Sequence, residues 1–207
     1  MKQLIFIMLM ALPVTRTIAV MINGTAARVG STPISLQDVY FYDSVMKLSK
    51  SEVSDEIPQG EPLKKLIQKV MLMEMVLLEM GNPEPSSKAL FEIESRFKNL
   101  RKNKKLSSAW NTLKSHFGKS DKFIYAYYFR SEEVERFLEK KAEALTPLVT
   151  DADLEKYIRE NMQKFKNQDV TVLKPNISWL IKREKMQKGL EDWVRFLTEK
   201  YKAVNLL

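Results

Sequence analysis

PLKKLIQKVMLMEMVLLEMG, residues 62–81, reads as a helix with almost no polar side. Pro62 suits a first helical turn, where its missing N–H costs nothing. Gly81 is a natural end, since a helix often stops at a residue in the left-handed region. From Val70 to Leu78 only Glu74 is polar. A helix apolar on nearly all sides is buried at the centre of a domain. Lys69 and Glu79 bound the run and keep it well short of the roughly 20 apolar residues a membrane span needs. The rest of the chain must therefore supply elements to surround this helix.

Upstream, residues 26–30 (AARVG) are short enough for a strand, and Ser31-Thr32-Pro33 turns the chain. Ser35 and Asp38 form a capping-box pattern opening a helix from about Leu36 to Ser49. A polar loop spans residues 51–60. Downstream, Asn82-Pro83-Glu84-Pro85 is a rigid stop. Ser86 or Ser87 caps a helix to about Lys102, with Leu90, Ile93, Phe97 and Leu100 on one face. A shorter helix is expected from Ser107 to Phe117, ending at Gly118. Ser120 opens a long helix to about Leu145, stopped by Pro147. Thr150 and Asp153 start another, carrying Leu154, Ile158, Met162 and Phe165. Val170–Leu173 reads as extended. A final helix runs from about Ser178 to Tyr201, with Met186, Leu190, Trp193, Val194 and Leu197 on one face. The tail, residues 203–207, reads as a weak strand. The fold class is mainly α: a compact helical domain with a little β at the two ends.

Composition narrows the chemistry. The chain has 207 residues, a net charge of +8 and no cysteine, so disulfides, thiolate metal sites and cysteine nucleophiles are excluded. A single histidine, His116, excludes any site that needs two. No glycine-flanked nucleophile elbow and no glycine-rich phosphate loop is present. The Asp151/Asp153 pair sits at a helix start and the Glu132/Glu133 pair between Arg130 and Arg136, both ordinary helical settings. The reading is of a non-enzyme with no catalytic residue, no metal and no cofactor. The basic cluster from Arg96 to Lys105 reads as a solvated helix end. No nucleic-acid partner is expected, while the positive charge is compatible with weak contact with an anionic membrane.

The first residues read as an address. Lys2 precedes an apolar run, Leu4–Val14, and Thr17 and Ala19 fit a cleavage site after Ala19. Residues 1–19 are thus expected to be a signal peptide and 20–207 one mature domain working outside the cytoplasm. A retained short anchor is the alternative. Less ordinary are the methionines, Met71, Met73, Met75 and Met80 in one helix, and the aromatic cluster Phe123, Tyr125, Tyr127, Tyr128 and Phe129. Methionine suits both core gaps and promiscuous binding surfaces. One helical face cannot hold all five aromatics. Phe41, Met73, Tyr125 and Tyr128 are the candidates for an apolar binding groove.

The layout resembles the N-terminal chaperone domain of SurA-type periplasmic proteins, a foldase family that includes PpiD- and PrsA-like members. The resemblance rests on Arg28-Val29-Gly30 with Pro33-Ile34-Ser35-Leu36-Gln37-Asp38-Val39, on Leu66-Ile67 through Met80-Gly81, and on Gly118-Lys119-Ser120. It extends to Val149-Thr150-Asp151-Ala152-Asp153-Leu154, to Tyr157, to Asn161–Phe165, and to a closing helix with Trp193. One departure matters. The family's parvulin isomerase domain would fall between Phe165 and the last helix, and residues 166–175 are too few to hold it. The resemblance implies that first and last strands pair and that the closing helix packs back on the core. It also implies an ATP-independent holdase for unfolded envelope or outer-membrane proteins, without isomerase activity. The alternative is a non-catalytic adaptor of the same fold dedicated to one envelope partner.

Overall fold

A computed structural model describes residues 24–52, 59–165 and 170–207. The expected signal peptide lies outside the described residues. So do residues 166–169 of the stretch standing in the isomerase position.

The described chain opens with a hairpin, β1 (Thr25–Val29) and β2 (Thr32–Ser35), and closes with β3 (Val204–Asn205). All pairings are antiparallel, in the order β2-β1-β3. The two ends of the domain are therefore joined, as expected. Gly30 takes φ +59 in the turn, and its N–H donates to the Tyr201 carbonyl at 2.6 Å. Thr32-Pro33 is strand rather than turn. Proline is tolerated there because β2 is an edge strand, where an N–H can point away from the ladder.

Helix α1 (Leu36–Ser49) starts at the expected capping box. The Asp38 N–H donates to Ser35 Oγ at 3.1 Å, and the Ser35 N–H donates to Asp38 Oδ2 at 2.9 Å. Helix α2 (Gly60–Glu79) buries Leu66, Ile67, Val70, Met71, Met73, Met75, Val76 and Leu77. It packs on β1, α1, α5 and α7, the central place its composition demands. The elements that follow are α3 (Ser87–Leu100), α4 (Lys104–Phe117), α5 (Asp121–Ala144) and α6 (Asp151–Glu160). Helix α4 begins three residues before the expected Ser107, because Asn103 accepts from the Lys105 and Leu106 N–H groups and caps it. Helix α6 stops at Glu160 and gives way to a 3₁₀ turn, Met162–Phe165.

The last helix, α7, runs from Val170 to Lys200 and contains Pro175. This corrects the expectation of an extended stretch before Ser178. An interior proline removes one i→i−4 bond and crowds the preceding turn. At the sixth residue of a 31-residue helix the remaining bonds outweigh that loss.

Two cores hold the domain. The first lies under the sheet and gathers Ala27, Val29, Ile34, Val39, Ile67, Val70, Val76, Val134 and Leu197. The second lies among α1, α3, α4 and α5, around Phe41, Val45, Phe97, Trp110, Ile124, Tyr125 and Tyr128. Helix α1 serves both, Leu36 and Val39 in one and Phe41, Val45 and Leu48 in the other. Tyr40 and Tyr127 pack against both clusters and join them.

Candidate functional site

Helix α7 is fixed on one side and open on another. Leu197 is fully buried in the first core, and Trp193 packs its ring 6.0 Å from Phe137 with Lys141 over it. At its end, Lys200 Nζ and the Tyr201 hydroxyl both donate to Glu79 Oε2, at 2.6 and 2.8 Å. Those two bonds hold the Glu79 carboxyl below the usual carboxylate range. Earlier in the helix, Lys185 is paired with Asp153 of α6. What these contacts leave open is a row of half-buried apolar residues four apart, Met186, Leu190 and Val194. They floor a shallow groove of about 740 Å³ that, among the described residues, α7 alone lines. Its rim is polar and of mixed sign: Arg183, Gln187, Glu191, Arg195, Thr198 and Glu199.

The groove candidates named from the sequence are placed elsewhere. Phe41, Met73, Tyr125 and Tyr128 are each at most 6% exposed. They also do not come together. Met73 belongs to the first core and the other three to the second. In this arrangement they support the domain from inside and are not gathered into one apolar groove. The physical reason is ring-on-ring packing. Phe97 stands edge-on to Tyr128 at 5.2 Å, Trp110 stacks with Tyr125 at 5.7 Å, and Phe41 meets Tyr127 at 4.9 Å. Five aromatics on one helix are accommodated because α1, α3 and α4 offer them more than one apolar neighbour. Met73 does form part of the floor of a smaller cleft, about 380 Å³, with Met46, Leu66, Leu72 and Leu138.

No family model, curated protein or solved structure matches this chain.

Several titratable groups are shifted by their surroundings. Glu74, the one polar residue of the apolar run, has its carboxyl raised by burial, with Arg130 pulling the other way. Burial raises the Tyr127 phenol well above its ordinary value, helped by the charge of Glu74. The Tyr128 phenol is pushed up to about 12, first by burial and then by its bond to Glu132. Arg96 also pairs with Glu132, at 2.9 Å, and lies over the Tyr128 ring. His116 is exposed beside Phe117. Among the described residues no group of three or more histidines, cysteines or acids could hold a metal ion.

Sequence reasoning placed Met186, Leu190, Trp193, Val194 and Leu197 on a single face. The structure divides them into two neighbouring rows. Trp193 and Leu197, four apart, turn inward, while Met186, Leu190 and Val194, also four apart, form the open row. Rows of i±4 residues are the ridges by which helices pack. Two adjacent apolar ridges are the sequence signal that one partner helix would not cover both.

Proposed function

We propose that the chain is an ATP-independent holdase for unfolded envelope polypeptides, and that clients bind along the open face of α7. The observation that supports this most is the groove floored by Met186, Leu190 and Val194. It is long, shallow and apolar at its base, which suits a stretch of chain better than a compact small molecule. A methionine among branched aliphatics tolerates varied side chains. The mixed-sign rim gives no single charged ligand an advantage. Burial of client apolar groups, at about 25 cal/mol per Å², supplies the affinity without an energy source.

The client class rests on the sequence. The order of motifs resembling SurA-type chaperone domains, together with the leader-like first 19 residues, favours a periplasmic protein acting on unfolded outer-membrane proteins. On this reading the chain carries no isomerase activity and uses no cofactor.

The test is aggregation of a urea-unfolded outer-membrane β-barrel protein, diluted into buffer and followed by light scattering. The expected result is suppression near equimolar chaperone without nucleotide, weakened by Leu190→Lys. A folded protein that suppresses nothing overturns the reading. Recovery of one partner at fixed stoichiometry from envelope extracts would then fit the adaptor alternative.

A further inference from the structure

The first half of α7 has a composition unlike the rest of the helix. Residues 174–188 carry Lys174, Lys182, Arg183, Lys185 and Lys188 against one acid, Glu184. Of these five cations only Lys185 is ion-paired among the described residues, with Asp153 of α6. Ile177, Ile181 and Lys185 follow one another at four-residue steps, so they share one side of the helix. Ile177 and Ile181 are buried, and that side is the one α6 covers. At 3.6 residues per turn, Trp179 and Arg183 fall on the opposite side. There the tryptophan is 59% exposed and Leu180, beside it, 37%. The Arg183 guanidinium lies 5.5 Å from the Trp179 ring centre, so a cation and an aromatic ring are presented together.

We propose that this outward side of α7, centred on Trp179, Lys182 and Arg183, docks on an anionic lipid bilayer. Tryptophan belongs at the boundary between headgroups and acyl chains, where its ring is apolar and its N–H remains wet. Lysine and arginine bury their stems while keeping their charges at the surface. An anionic leaflet attracts each such cation, and the effect fades within a Debye length. The Asp153 carboxylate is turned to the other side of α7, where it holds Lys185 rather than opposing the membrane. No helix among the described residues is long and apolar enough to cross a membrane, so α7 would lie on the bilayer and not span it. The surface adjoins the open row Met186, Leu190 and Val194 on the same side of α7 and shares Arg183 with its rim, but the inference does not depend on the chaperone reading.

The experiment uses the full chain and vesicles of phosphatidylglycerol and phosphatidylethanolamine carrying brominated acyl chains. Bromine quenches a tryptophan only when it reaches the boundary region. Trp110 is buried and Trp193 is packed against Phe137, so the expected quenching belongs to Trp179. It should vanish in Trp179→Phe, which still binds in a vesicle flotation assay. Lys182→Glu with Arg183→Glu should weaken vesicle binding by roughly thirtyfold or more at low salt, since each cation near an anionic leaflet contributes about 1 kcal/mol and reversal adds repulsion. Quenching that persists in Trp179→Phe, or is equally strong on pure phosphatidylcholine, overturns the proposal. So does binding without any quenching, which would point to contact elsewhere on the chain. A light-scattering assay of client aggregation contains no lipid, so the failure of one reading leaves the other standing.

Discussion

Lys185 Nζ donates to Asp153 Oδ2 at 2.6 Å, and the same carboxylate oxygen accepts from the Thr150 N–H and hydroxyl at 2.9 and 2.8 Å. One carboxylate thus closes the capping box of α6 and ties α6 to α7. The lysine bond is the leading cause holding its carboxyl far below the ordinary carboxylate value. A depressed folded value means that the contribution is whole above the unfolded carboxylate value. It is then lost as the pH falls toward the folded one. Asp153→Asn should therefore loosen α6 at neutral pH, read as faster hydrogen exchange over residues 154–160. The variant should also lose part of the wild-type acid dependence of that exchange.

Leu197 and Leu190 lie seven residues apart on α7, yet their substitutions should separate stability from binding. Leu197 is fully buried in the first core, so Leu197→Ala should cost about 2–5 kcal/mol. Leu190→Lys changes a half-buried position in the open row and should cost much less. The same variant should still reduce suppression of client aggregation. Urea denaturation beside light scattering checks both.

The phenols of Tyr127 and Tyr128 are raised above their ordinary value of 10.0. A phenol raised in the folded state contributes its stability fully below the unfolded value and loses it as the pH rises toward the folded one. Stability should therefore start to fall near the ordinary tyrosine value of 10.0 and go on falling toward about 12, the raised value of Tyr128. Ultraviolet titration should show a late tyrosinate step that coincides with loss of helical circular dichroism. Tyr128→Phe should reduce the amplitude of that late step.

Gly118 ends α4 in the left-handed region at φ +63, with no atom within 4 Å of where a Cβ would stand. Gly118→Ala meets no clash, so its cost is conformational, about 1–2 kcal/mol. Thermal unfolding should register that loss without a change in the native circular dichroism spectrum.

Element starts were legible where a side chain closes onto its own backbone. Ser35, Ser86, Ser120 and Thr150 all cap the helices their positions announce. Other boundaries differ from the expected ones: Asn103 caps α4 three residues early, residues 170–173 are helical ahead of Pro175 where an extended stretch is expected, and Pro33 lies in a strand where a turn is expected. A helix with many remaining bonds absorbs the first proline, and an edge strand has no need of the N–H that the second lacks.

By itself the sequence determined that the chain is helical, that α2 lies at its centre, and that its two ends form strands. Those follow from local capping and from a run of residues with no polar side to turn toward water. Which apolar residues stay open was decided only by the tertiary structure. Phe41, Tyr125 and Tyr128 look as available for binding as Met186, Leu190 and Val194 when read along the chain. Burial depends on whether a neighbouring element arrives with a matching ridge. The helices α3 and α4 come to the aromatics, while among the described residues none comes to the outer row of α7.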